Sequence, residues 1–295
     1  MKERNTEKEK REKLSNSVND KYLKTSFLMA KLTYNDLLEA GVHFGHLTRK
    51  WDPHMAPFIF MERNGIHVID LNKTLTSIEE ASNALSKVVR TGRKILFVAT
   101  KKQAKEIVSD EARRLNMPYV TERWLGGMLT NFATIRRSLK KMSGMEKKMK
   151  EDIFKNLAKR ERLMVYREKE KLHKVLGGIA DLTRLPAALF IVDIKREHIA
   201  VKEAQKLNIP VFAMVDTNSN PELVDFPIPG NDDAFKSIAI VTKAVGAAIE
   251  QGLNERLKEK EEARLKQEEE NKKKMDESNA AEKAPVAEKV KEESK

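Results

Sequence analysis

The sequence contains no cysteine, which excludes disulfides and thiolate metal sites. It is also poor in glycine, with twelve in 295 residues, and only 6% of it is aromatic. Neither G-x-G-x-x-G nor G-x-x-x-x-G-K-[ST] occurs, so neither of the usual glycine loops for closing a backbone on phosphate is present. No apolar run approaches the roughly 18 residues that span a bilayer. The N-terminal residues are polar and charged and lack the apolar core of a secretory signal. These absences lead us to expect a soluble cytoplasmic protein with no cofactor.

Charge is what the sequence has in abundance. Asp, Glu, Lys and Arg make up 35% of the chain, the net charge is +12, and 40% of residues are hydrophobic, enough for a true core. The positive charge is concentrated. Between Thr121 and Lys174 there are sixteen Lys/Arg against seven Asp/Glu. A localised basic segment is the electrostatic footprint of a nucleic-acid partner, whose phosphates it neutralises.

The ends differ from the middle. Residues 1–28 carry no patterned apolar positions and cannot offset the entropy of ordering, so we expect a disordered extension. Met29 opens the patterned region, which suggests it as the translation start. Residues 254–295 alternate Glu and Lys, as a solvated helix leading into a disordered tail does. The body then divides into an α/β domain, 29–129 and 177–253, interrupted by an insertion at 130–176.

Within the α/β part, short apolar runs flank Arg63-Asn64-Gly65, a strong hairpin signal. Asn72 is placed to cap a helix reaching Arg90. Buried strands are expected at 94–99, 186–192, 210–215 and 225–228, with helices at 102–116, 197–207 and 233–251. Continuous apolar strands alternating with helices predict a doubly wound, mostly parallel sheet with helices on both faces. The insertion contains no strand. Phe132, Ile135, Leu139, Met142 and Met149 follow a heptad with Glu146 in the remaining slot, and Ala158, Val165 and Leu172 repeat every seven. So narrow an apolar stripe predicts a protruding antiparallel coiled-coil hairpin, the alternative being two ordinary core helices. The diglycines Gly126-Gly127 and Gly177-Gly178 flank it and are expected to be its junctions.

Catalytic chemistry is sparse. Asp193 and Asp216 each end a strand, where carboxylates act in doubly wound enzymes, but Asp there also simply forms turns. No nucleophile–base pair stands beside them in sequence. His43 and His46 have the spacing of metal ligands but no acidic ligand close in sequence, so no metal site is expected. An RNA-facing role suits them better. Around them, Val42 to Trp51 mixes cations and rings in one loop: Arg49 and Lys50 can neutralise phosphates and Trp51 can stack on a base. Arg63 adds a cation at the hairpin turn, and Arg123-Trp124 repeats the cation–ring pairing before the insertion. Asn131 caps a helix whose N-terminus can face a phosphate, with Arg136, Arg137, Lys140 and Lys141 following on it. Lys101 and Lys102 sit at a strand's C-terminal edge. For either tryptophan the alternative is a core position.

Longer motifs sharpen this reading. Leu38 to His46 (LEAGVHFGH), Pro57 to Phe60, Trp124 to Asn131 (WLGGMLTN), Leu176 to Ile179, Pro186 to Pro210 and Val211 to Asp233 resemble, in order, the bacterial small-subunit ribosomal protein S-two family. The resemblance covers about Thr33 to Gly252. It implies a parallel α/β domain with a projecting coiled-coil hairpin. It also implies binding to small-subunit ribosomal RNA near the head–body junction, late entry into assembly, and no catalysis. Neighbouring small-subunit proteins, and in many bacteria ribosomal protein S-one, are the partners it implies. The first 28 residues and the tail after Gly252 have no counterpart in the family pattern.

Overall fold

A computed structural model describes residues 32–150 and 158–292. The expected extension at 1–28 and the suggested start at Met29 lie outside the described residues.

The chain begins with α1 (Tyr34–Glu39), closed at its start by a reciprocal capping box between Thr33 and Asp36. Three short strands follow, β1 (Phe44–Leu47), β2 (Ile59–Arg63) and β3 (Ile66–Ile69). They form a small antiparallel sheet in the order β1-β3-β2. Arg63 pairs with Ile66, leaving a two-residue turn of Asn64 (φ 54°) and Gly65 (φ 73°). Both left-handed residues are what a tight hairpin turn of primed type demands, and Asn-Gly supplies them at low cost. Helix α2 (Leu71–Arg90) is capped by Asp70, whose carboxylate accepts the Asn72 N–H at 3.0 Å. The cap therefore falls two residues before the expected Asn72, which is itself helical.

The main sheet comprises β4 (Ile95–Val98), β5 (Tyr119–Val120), β6 (Ala188–Val192), β7 (Val211–Val215) and β8 (Phe226–Pro229). Its order is β5-β4-β6-β7-β8 and every pairing is parallel. Strand β5 is only two residues long and sits at the edge, which left too little pattern for the sequence to announce it.

Alternation along these strands feeds two cores. Phe97, Phe190, Phe212 and Met214 point to one face, where α2, α3 (Lys102–Arg114) and the start of α7 (Phe235–Glu292) cover them. Leu96, Val98, Leu189, Ile191 and Val215 point to the other, towards α4 (Phe132–Lys150), the end of α5 (Lys159–Leu176) and α6 (His198–Lys206). Phe97 and Phe190 meet edge to face at 5.5 Å. Full burial of one such ring stabilises by about 2–3 kcal/mol. The sheet is thus parallel, with helices on both faces.

Helices α4 and α5 also meet each other. Helix α4 buries Ile135, Leu139 and Met142 near its root. In α5, Leu176 is buried and Val165 and Leu172 are half-buried, whereas Ala158 is its exposed N-cap residue. Ion pairs link the two helices: Lys141 to Glu168 at 2.5 Å and Lys169 to Glu146 at 3.1 Å. The connection at 151–157 lies outside the described residues. Helix α7 buries Ile238, Val241, Val245 and Ile249 and continues without a break into the charged segment after Asn254. Arg114 meets Glu250 at 2.5 Å, and Arg90 reaches Glu255 at 3.6 Å and also Glu259, tying the helix to the body as it leaves.

Candidate nucleic-acid interface

Thr217, just past the C-terminal end of β7, helps fasten the small sheet there. Its hydroxyl oxygen accepts the His46 N–H at 2.8 Å and its carbonyl accepts the Asp52 N–H at 2.8 Å. The approach requires glycine: a Cβ on Gly45 would lie 2.6 Å from Thr217 Cγ2 and 2.9 Å from the His67 carbonyl oxygen. The segment expected as one loop is therefore β1 followed by a 3-10 turn, Thr48–Lys50. That turn holds Arg49 and Lys50 outward, and Trp51 is 39% exposed with its ring 5.1 Å from that of His67.

His43 and His46 are half-buried. His46 stands with Nδ1 3.0 Å from Asp216 Oδ2 and Nε2 3.3 Å from Asp233 Oδ2. Its hydrogen bond to Asp216 raises its pKa above the usual imidazole value. His43 is half-buried against Phe44, ring centroids 4.0 Å apart, and burial lowers its pKa. Both are half-buried where β1 pairs with β3, and His46 is engaged by carboxylates of its own protein.

Lys101 is likewise corrected. It is 8% exposed, and its ammonium lies 2.7 Å from Asp232 Oδ1, 2.6 Å from Asp233 Oδ1 and 3.7 Å from Asp193 Oδ2. Such a lysine is neutralised within the protein. Lys102, the first residue of α3, is exposed. Asp193 and Asp216 behave as turn formers: Asp193 accepts the Arg196 N–H at 3.0 Å, and Asp216 accepts the backbone N–H and hydroxyl of Thr217.

The root of α4 is organised by a residue that no local sequence signal announced. The Glu203 carboxylate accepts the Gly127 N–H at 2.7 Å, the Leu129 N–H at 2.9 Å, the Thr130 N–H at 3.1 Å and the Thr130 hydroxyl at 3.2 Å. It also accepts the Trp124 indole N–H at 3.1 Å. Burial pushes the Glu203 carboxyl up, but those backbone and indole donors outweigh it and hold the group below its ordinary value. Trp124 is 6% exposed and belongs to the core. Its ring offers no face to a base, and the stacking role expected for it is withdrawn.

Beyond this anchor, Asn131 precedes α4 with its side-chain oxygen accepting the Thr134 hydroxyl at 2.9 Å. Arg136, Arg137 and Lys140 then line one groove of about 520 Å³, floored by Leu139 and Leu182. All three cations are exposed. Lys141, also exposed, is engaged by Glu168. Arg63 and Arg123 are exposed on the hairpin and on the segment before α4.

Residues 37–252 match the family of ribosomal protein S2. Small ribosomal subunit protein uS2 of Cytophaga hutchinsonii is 71% identical over 233 residues, covering 79% of this chain and 92% of that protein. The uS2 protein of Flavobacterium johnsoniae is 61% identical over 258 residues, 88% of this chain and 95% of that one. That of Amoebophilus asiaticus is 60% identical over 232 residues, 79% and 74% of the respective chains.

Proposed function

The chain belongs to the ribosomal protein S2 family, and from that membership we propose that its exposed cations form the surface that binds small-subunit ribosomal RNA. The protein is a structural constituent of the small ribosomal subunit. Ribosomal RNA and adjacent subunit proteins are its partners, the cytoplasmic ribosome is its place of action, and it carries out no catalysis. No helix among the described residues is long and apolar enough to cross a membrane.

One observation carries the RNA surface: Arg136, Arg137 and Lys140 converge on a single groove while forming no ion pair with a described residue. Exposed cations without such a partner are the ones that release counterions from RNA phosphates. Arg49, Lys50 and Arg63 extend the same chemistry to the small sheet, Lys102 and Arg123 to the edge of the main one, and Trp51 provides a ring for an unpaired base. Asn131 keeps the α4 N-terminus ordered beside the groove, where helix amides attract phosphate.

Helices α4 and α5 form the projecting antiparallel coiled coil, with the α/β domain comprising 29–129 and 177–253 around it. The ion pairs between the helices and the confinement of full burial to their roots support this reading. On α5, Leu163, Met164 and Tyr166 are exposed. Such apolar side chains suit a protein neighbour rather than phosphate. Ribosomal protein S-one is one such neighbour, through the resemblance of the sequence motifs.

Ultraviolet crosslinking on purified small subunits, followed by peptide mapping, tests the surface. RNA-linked peptides from 131–141 and 48–63 are the expected result. Crosslinks confined to other segments would contradict it.

A further inference from the structure

We propose that His46, Asp216 and Asp232 are the ligands of a single divalent metal ion, with Zn²⁺ the best match. One ligating atom from each of the three lies within 4.8 Å of the other two. They come from β1, from the residue after β7 and from the loop after β8, so no spacing in the sequence could have disclosed the set. His43, the partner that sequence spacing offered to His46, is not among them.

Asp232 supplies the second observation. It is fully buried, and its Oδ1 accepts from Lys101 at 2.7 Å. Its Oδ2 is buried with no hydrogen-bond partner. A carboxylate oxygen held from water without a donor is costly, and a cation satisfies it more completely than a single hydrogen bond. The surrounding charge is unbalanced in the same sense. Asp193, Asp216, Asp232 and Asp233 gather around Lys101 and His46, so carboxylates outnumber permanent cations. A bound dication balances that excess of negative charge.

The geometry of His46 fits a ligand. With its proton on Nε2, the ring donates to Asp233 Oδ2 at 3.3 Å, and Nδ1 turns its lone pair towards Asp216 Oδ2 at 3.0 Å. Two ligands with bonds of about 2.0 Å in tetrahedral array are separated by about 3.3 Å. A carboxylate on the far nitrogen is the usual outer partner of a metal-bound histidine, fixing tautomer and orientation. Without the ion, a proton on Nδ1 occupies the same place. Binding is therefore an exchange of one or more protons for a metal.

One imidazole with two carboxylates suits Zn²⁺ better than Mg²⁺, which keeps most of its water and takes oxygen ligands. His46, 20% exposed against 1% for Asp216, is the side from which the ion enters.

The test uses the purified full-length chain, stripped with a chelator and titrated with ZnCl₂ by calorimetry. One equivalent should bind at pH 7, with proton release seen as a dependence of the heat on the buffer, and the melting temperature should rise. His46→Gln and Asp232→Asn should each weaken binding by at least about 10- to 100-fold, the cost of losing even an outer partner of a ligand. His54→Gln, at an exposed histidine outside the cluster, should leave it unchanged. If Asp232→Asn does not fold, the more exposed His46→Gln decides. No binding by the wild type, or equal binding by wild type and His46→Gln, would overturn the proposal.

Discussion

The Trp124 indole N–H donates to the Glu203 carboxylate at 3.1 Å, joining the root of α4 to the side of α6. The same carboxylate accepts from Gly127, Leu129 and Thr130, so one acidic side chain on α6 fixes the whole segment that launches α4. The position of Arg136, Arg137 and Lys140 depends on it.

Replacing Glu203 by Ala leaves those buried donors without an acceptor. The expected loss is roughly 2–4 kcal/mol. Urea denaturation followed by tryptophan fluorescence measures it, and the Trp124 emission should shift to the red. A loss below about 0.5 kcal/mol, the range of ordinary surface changes, would show that the anchor is dispensable.

The same group sets an acid limit. Its folded pKa lies below the ordinary value of 4.5, so ionised Glu203 contributes stability above that pH. The contribution is lost as pH falls through the lower folded value. Melting temperatures between pH 6 and 3 should therefore drop more steeply for the wild type than for Glu203→Gln. Parallel curves would remove Glu203 from the acid transition.

Gly45 is required by contact and Gly126 is not. A Cβ at Gly45 meets Thr217 and the His67 carbonyl, whereas one at Gly126 meets nothing within 4 Å. Gly45→Ala should cost about 1–3 kcal/mol through overpacking. Gly126→Ala should stay within about 0.5 kcal/mol. Equal costs in chemical denaturation would dissolve the distinction.

Arg136→Glu combined with Arg137→Glu should weaken binding to small-subunit RNA and flatten its salt dependence. Losing two phosphate contacts lowers the slope of log K against log salt by about 2. Fluorescence anisotropy across a salt series reads this directly. An unchanged slope would move the RNA surface away from α4.

The architecture was legible because its signals are local. Alternating apolar strands and helical spacing disclose the parallel sheet, and Asn64-Gly65 discloses the hairpin. The two-residue β5 carries too few side chains for any period. The exposure of the candidate site residues was legible only in part. Lys101 and Trp124 looked like Arg136 and Trp51 in sequence, yet Lys101 is taken up by Asp232 and Asp233 and Trp124 by Glu203. Those partners lie 79 or more residues away, and no pattern along the chain can pair them.

The most direct test of the account is sucrose-gradient sedimentation of a cell lysate at low magnesium, with each fraction probed for this chain. The account predicts co-migration with the small ribosomal subunit that survives moderate salt. A chain found only at the top of the gradient, with no subunit-bound fraction, would contradict it.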